Sequence, residues 1–217
     1  MCNLYDIGRP RSQVRNDWEQ VVAEAVETLS KRFGIRKTDP GLVVRDHGEP
    51  RAETMRWGFH RPFNPAVNNA RSDKLDGMWK SAWQEKRRCL IPIETFYEWS
   101  GPSGQKQTFA FRSRDADRCL WAAGLWEPPR EADDIELPAY TMVTTDASEA
   151  VEPVHHRMPV LLSPRHFEEY LGGDDPRQLL TPFSGDLEIF RCANPLKNPA
   201  GHEGPVVEDV LPGFEGL

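Results

Sequence analysis

At 217 residues, with a formal net charge of −7 from 27 basic and 34 acidic side chains, the chain fits one domain with a substantial core and carries no general attraction for nucleic acid or anionic membranes. There is no run of about 18 apolar residues and no basic-then-apolar N-terminal signal, so a cytoplasmic protein, nucleoid-associated when on DNA, is expected and a membrane protein is not. The cysteines, Cys2, Cys89, Cys119 and Cys192, lie far apart without a C-x-x-C pair, which excludes zinc ribbons and disulfide scaffolds.

In chain order, position 2 is the first informative one. If Met1 is removed, Cys2 becomes the N-terminus and carries an α-amine and a thiol on adjacent carbons. An α-amine with a pKa of about 7.7–8.0 is partly neutral at physiological pH. On an acyl substrate the thiol would attack with the amine as base; on an aldehyde the amine would form an imine and the thiol would close a thiazolidine ring. Cys2 alone does not choose between them.

Gln13 to Phe33 has apolar residues near helical spacing (Val14, Trp18, Val21, Val22, Ala25, Leu29), Ser12 as N-cap and Gly34 as the stop, and predicts an amphipathic helix. Short β-like runs follow at Leu42–Arg45, Thr54–Trp57, Cys89–Ile93, Phe96–Trp99, Thr108–Arg112, Leu120–Trp126, Tyr140–Thr145, Met158–Leu162 and Leu187–Cys192. A second helix is predicted over Leu75–Lys86, a third from Ser163–Pro164 to Leu171, and one helical turn over Asp146–Ala150. Pro128–Pro138 reads as an exposed hairpin loop, and residues 194–217, rich in Pro and Gly, as an irregular tail. Strands dominate without regular alternation with helices. The expectation is therefore an α+β single domain over residues 1–217, with a mixed, strongly curved, barrel-like sheet and peripheral helices.

Three segments hold polar residues in apolar or aromatic surroundings. In Phe96-Tyr97-Glu98-Trp99, Glu98 stands between aromatics; such a carboxyl loses water, its pKa rises, and it can act as a general acid, although an edge-strand glutamate facing solvent fits the pattern too. In His155-His156-Arg157-Met158-Pro159, two histidines and an arginine precede a buried-looking strand. Adjacent residues of an extended segment point to opposite sides, so the pair is not expected to share a metal or a task, and no zinc-ligand spacing is present. From Met55 to Asp73, aromatics interleave with arginines as on surfaces that stack unpaired bases, with core aromatics and peripheral arginines as the alternative. Asn69 and Arg71 stand at alternate positions, so an extended chain presents both on one side.

Together these segments resemble the SOS response-associated peptidase (SRAP) family, abasic-site processing proteins that crosslink themselves to abasic sites in single-stranded DNA. Met1-Cys2, Arg56-Trp57-Gly58 with Asn69-Ala70-Arg71, Arg88-Cys89-Leu90-Ile91-Pro92 with Phe96-Tyr97-Glu98-Trp99, and His155 with Arg157-Met158-Pro159 occur in the family's order, from residue 1 to about 162. The resemblance implies an SRAP-like fold, catalytic roles for Cys2, Asn69, Glu98 and His155, and DNA contacts from Arg56, Trp57, Arg71 and Arg157. It implies a covalent thiazolidine between Cys2 and the abasic aldehyde, autoproteolytic removal of residues before Cys2, a monomer, and no metal or cofactor. Asn3-Leu4, Phe59-His60-Arg61-Pro62, Thr95 and His156 depart from the usual pattern. An N-terminal-nucleophile amidotransferase or amide hydrolase, and a non-catalytic single-strand DNA-binding module, are the rival readings.

Overall fold

The computed structural model describes residues 2–8, 16–115, 118–130 and 135–210. In chain order these form β1 (Leu4–Ile7), α1 (Asp17–Val26), β2 (Ile35–Arg36), β3 (Pro40–Asp46), β4 (Pro50–Trp57), β5 (Phe59–Arg61), β6 (Asn64–Val67), β7 (Asn69–Arg71), α2 (Lys80–Gln84) and β8 (Arg88–Ser100). There follow β9 (Gln107–Ser113), β10 (Leu120–Glu127), β11 (Ala139–Asp146), β12 (Arg157–Pro159), α3 (Phe167–Gly172), β13 (Leu187–Cys192) and β14 (Val207–Val210). The α+β expectation, a mostly β domain with few helices, is met.

The main sheet runs β10-β11-β4-β3-β8, and β10 pairs with β8 as well, so these strands close into a ring. Strand β8 makes the closure possible because its two halves serve different neighbours. Its first half, Arg88 to Ile93, lies antiparallel to β10, and Leu90 meets Val44 of β3; its second half, Thr95 to Ser100, pairs with β9. β1 crosses this second half with Tyr5 opposite Phe96 and Asp6 opposite Thr95. The sequence predicts two strands here; the structure makes them one, since no turn intervenes and Pro92, which lacks an N–H, offers its carbonyl to Gly8 at 3.1 Å. Cys89, Leu90, Ile91 and Ile93 are fully buried, a strand covered on both faces, with α3 packed on β8 and α2 on β10.

The helices are shorter than their periodicity predicts. α1 begins at Asp17, where the Asn16 Oδ1 accepts from the Glu19 amide at 3.0 Å; the predicted start at Ser12 and Gln13 lies outside the described residues. The helix ends at Val26 because Thr28 turns back, its hydroxyl donating to the Ala25 carbonyl at 2.9 Å, and because Arg32 is drawn to β1 through the Ile7 carbonyl, also at 2.9 Å. Over Leu75–Lys86 only Lys80–Gln84 is α-helical, preceded by tight turns around Gly77 and closed by Lys86 at φ 53°. In the third segment a short 3₁₀ turn, Pro164–His166, leads into α3, so that prediction holds. Asp146–Ala150 is different: β11 runs through Asp146 and the chain then turns over Ser148–His155. Within the described part of the tail, residues 194–210, a strand departs from the irregular expectation, since β14 adds to β13; residues 211–217 lie outside the described residues. No helix among the described residues is long and apolar enough to cross a membrane.

Arg88, 2% exposed, donates to the carbonyls of Tyr170, Gly173, Trp83 and Asp174, tying β8 to the ends of α2 and α3. Tyr5 and Tyr140 join hydroxyls in the core, and Gly41 passes directly beneath them. A Cβ at residue 41 would run into both hydroxyls. Gly41→Ala is therefore expected to destabilise the protein by about 2 kcal/mol, typical of overpacking, read as a lower urea midpoint with an unchanged slope.

Candidate functional site

The site is assembled where β1 meets β8. Cys2 lies just before β1 and is 1% exposed, its thiol donating to the Leu4 carbonyl at 3.4 Å. Its carbonyl accepts from the side-chain amides of Asn69 at 2.8 Å and Asn68 at 3.2 Å. The Asn68 amide also reaches the Asn3 Oδ1 at 3.2 Å. The two asparagines are fixed by the sheet: the Asn68 carbonyl accepts from the Trp57 indole at 3.1 Å and the Met142 amide at 3.0 Å, and β7 runs parallel to β11 with Asn69 opposite Met142. The Asn69 Oδ1 is buried and accepts no hydrogen bond among the described residues. It is a ready acceptor for an amine or hydroxyl brought to Cys2.

Glu98, 2% exposed, is next to Cys2 electrostatically: its charge is the second cause, after burial, that raises the Cys2 thiol pKa well above the ordinary range. The thiol is therefore protonated at neutral pH. Burial pushes the Glu98 carboxyl up to about 7, so it is close to half protonated there and can both give and take a proton. Backbone of Tyr97 lies against the same thiol.

His155 and Arg71 occupy the neighbouring end of the platform. β11 carries Thr144 opposite Arg71 of β7 and Asp146 opposite Arg157 of β12, bringing the segment before β12 to the end of β7. The His155 Nδ1 accepts from the Arg157 amide at 3.0 Å. Burial first, then the positive charge of the N-terminus, with smaller contributions from His156 and Arg157, lower its pKa, so the ring is neutral at physiological pH. The extended-chain expectation for the two histidines is corrected here: the backbone turns, and the rings stack with centroids 4.4 Å apart. Among the described residues no cluster of His, Cys, Asp and Glu has the makings of a metal site.

The expected DNA contacts divide by burial. Arg71 is half exposed and pairs with Asp73 at 2.7 Å, with Asn69 two residues before it on the same strand. Arg56 is partly open and binds the Gly58 carbonyl and, at 2.8 Å, the Pro65 carbonyl, clamping the β5–β6 hairpin. Two expectations need correction. Trp57 is wholly buried, edge-on to Tyr5 at 5.0 Å, so it has no face for a base and instead backs Asn68. Arg157 is 4% exposed, its guanidinium taken up by the Thr144 carbonyl at 2.7 Å and Asp146 at 3.0 Å. Asn68 was not foreseen. The signal available was the Asn-Asn pair between apolar residues, since two adjacent amides in a buried run need partners.

A sequence model described as SOS response associated peptidase (SRAP) matches residues 1–199. The chain is 30% identical over 209 residues to "Abasic site processing protein HMCES" of Gallus gallus, covering 78% of this chain and 59% of the chicken protein's length. It is 28% identical over 182 residues to "Abasic site processing protein YoqW" of Bacillus subtilis, covering 76% of this chain and 80% of that protein. Among solved structures, one from Bacteroides thetaiotaomicron aligns with a TM-score of 0.73 at 17% identity over 97% of this chain and all of that one. One from Bordetella bronchiseptica aligns at 0.71 and 24% identity over 89% of this chain and all of that one, and both are likenesses of fold.

The Glu98 carboxyl carries a test through stability. Its folded pKa of about 7 lies above the ordinary 4.5, so the folded state holds the proton more tightly than the unfolded chain. Stability is thus fullest below about pH 4.5 and falls as pH rises through about 7, by on the order of 3 kcal/mol for this group. Urea unfolding at pH 5 and pH 8 should show Glu98→Gln losing less stability across that interval than the wild-type protein.

Proposed function

The chain belongs to the SOS response associated peptidase (SRAP) family, and from that premise we propose that it captures abasic sites in single-stranded DNA by forming a covalent thiazolidine through Cys2. The relatives' printed name, abasic site processing protein, supplies the substrate class. One observation favours aldehyde capture over acyl transfer: a desolvated Cys2 thiol, held protonated, beside a Glu98 carboxyl that titrates near 7. Acyl chemistry starts from a thiolate, which this burial disfavours. Aldehyde chemistry starts from the amine and needs a proton donor.

An abasic deoxyribose opens to an aldehyde at C1′. Once Met1 is gone, the Cys2 amine attacks C1′, the C–N bond forms as the carbonyl π pair moves to oxygen, and a proton of the new ammonium passes to that oxygen to give a carbinolamine. Glu98 protonates its hydroxyl, water departs as the nitrogen lone pair forms the C=N bond, and an iminium remains. The Cys2 sulfur then adds to C1′ while its proton passes to the Glu98 carboxylate, restoring the acid. The balance is one aldehyde and one aminothiol giving one thiazolidine and one water. Ring closure protects the strand, because an open imine ejects the 3′ phosphate by β-elimination whereas the saturated ring cannot delocalise that charge. Asn68 and Asn69 hold the Cys2 carbonyl and so aim the amine, and the Asn69 Oδ1 accepts from the amine or from a sugar hydroxyl. Neutral His155 relays protons at the sugar, and Arg71 holds a phosphate as its ion pair with Asp73 opens. Removal of the residue before Cys2 is assigned to the same sulfur as a single turnover that burial of the thiol makes slow: it attacks the Met1 carbonyl as the Glu98 carboxylate takes its proton, that proton passes to the departing Cys2 nitrogen, and water hydrolyses the thioester. The protein acts as a DNA-damage factor, monomeric and free of cofactors.

A single-stranded oligonucleotide with one abasic site, mixed with the protein, should yield an adduct stable to heating on a denaturing gel, and Cys2→Ala should abolish it. Persistence of the adduct in that variant would remove Cys2 from the mechanism. Cys2→Ser keeps the amine but loses the thiol, so strand nicking should rise relative to stable adduct; an unchanged ratio would mean that sulfur does not close the ring. Arg71→Ala should weaken binding to intact strands uniformly across sequences, with a salt slope lower by about one.

A further inference from the structure

We propose that His202 is a positioning residue for the Cys2–Glu98 pair, acting from the C-terminal segment through a buried cluster with Asp6 and Tyr97; this rests on the aldehyde-capture reading above. His202 lies just past the residues matched by the family's sequence model. It follows a short 3₁₀ turn, Pro199–Gly201, and its side chain is 5% exposed.

Asp6 is fully buried on β1, and its carboxylate is satisfied from three directions. The Oδ1 accepts from the Gly34 amide at 2.8 Å and from the His202 Nε2 at 3.0 Å. The Oδ2 accepts from the Tyr97 hydroxyl at 2.6 Å. The imidazole lies edge-on to Tyr97, centroids 5.6 Å apart, and to Phe33 at 6.2 Å. Gly34, at φ +64°, brings the loop after α1 so close that a Cβ there would sit 3.3 Å from the His202 ring. A buried carboxylate stripped of one donor must find another or move, because an unmet charged acceptor costs far more than an exposed one.

Movement at Asp6 would be felt at the chemistry along two routes. Asp6 belongs to β1, the strand that Cys2 directly precedes, so a shift of β1 against β8 displaces the nucleophile. Tyr97 is next to Glu98 on β8, and its backbone lies against the Cys2 thiol. One cluster therefore sets how β1 and β8 sit at the point where nucleophile and acid meet. His202 contributes to neither step directly; it holds the two residues that do the holding. Displacements of about 1 Å in such geometry can cost as much as a hundredfold in rate.

The test uses the full chain, single-turnover conditions and an oligonucleotide with one abasic site, with the Kd for the intact strand of the same sequence measured in parallel. His202→Ala should lower the maximal adduct rate about tenfold while leaving that Kd unchanged. His202→Gln, which restores an N–H donor, should recover most of the rate, and Tyr97→Phe should reproduce the loss. Wild-type rate in His202→Ala overturns the proposal, as does a joint fall of rate, strand affinity and Tm that Gln does not rescue, which would mark a general folding contact. Absence of adduct from the wild-type protein refutes the capture reading instead. Positioning is then read from alkylation of Cys2 by iodoacetamide, resolved by mass: about tenfold faster labelling in His202→Ala supports the proposal and equal labelling overturns it.

Discussion

The unbroken thirteen-residue strand β8 is the constraint on which the rest of the molecule depends. One half closes the ring of strands against β10 and β3, and the other half holds β1 and β9. Because β1 is paired to the strand that carries Glu98, Cys2, which directly precedes β1, and Glu98 are related through backbone hydrogen bonds. The spacing of the two is thereby set by how β1 sits against β8, so any contact that holds those strands in register also holds the site. Arg71 and the β5–β6 hairpin lie away from that pairing.

The polar groups at the centre share one electrostatic character. Burial raises Glu98 and the Cys2 thiol and lowers His155, so each is driven toward its uncharged form near neutral pH. For the proposed meeting of a chain of net charge −7 with a polyanion, an uncharged Glu98 carboxyl adds no repulsion of phosphates and keeps a proton to give. The same desolvation destabilises the fold above neutrality, so the site draws on the stability of the surrounding sheet.

Legibility from sequence followed how local the cause was. Glu98 was readable because an ionisable residue between two aromatics is anomalous wherever the strand runs, and Cys2 because its chemistry depends on position in the chain. Asn69 and His155 were readable only through their motifs. Helix ends were not, since Thr28 turning onto Ala25 and Arg32 reaching Ile7 are decided by contacts with β1. The burial of Trp57 goes with the parallel pairing of β4 and β11, that of Arg157 with the pairing of β12 and β11, and the stacked histidines with the turn between β11 and β12, long-range arrangements with no local signature. Strands as short as β1 and β7 carry too few residues for periodicity to speak, and their pairings are what assemble the site.

The grip on residue 2 has a broader meaning. Asn68 and Asn69 seize its main-chain carbonyl, while its thiol is enclosed by the Leu4 carbonyl and the Tyr97 backbone. Backbone and side chain of residue 2 are thus held by separate contacts, so the carbonyl grip fits any residue at that address while the walls around the sulfur admit only a side chain of its size. A selenol introduced there would inherit the same aim and the same neighbouring carboxyl, whereas a longer aminothiol would have to push β1 and β8 apart.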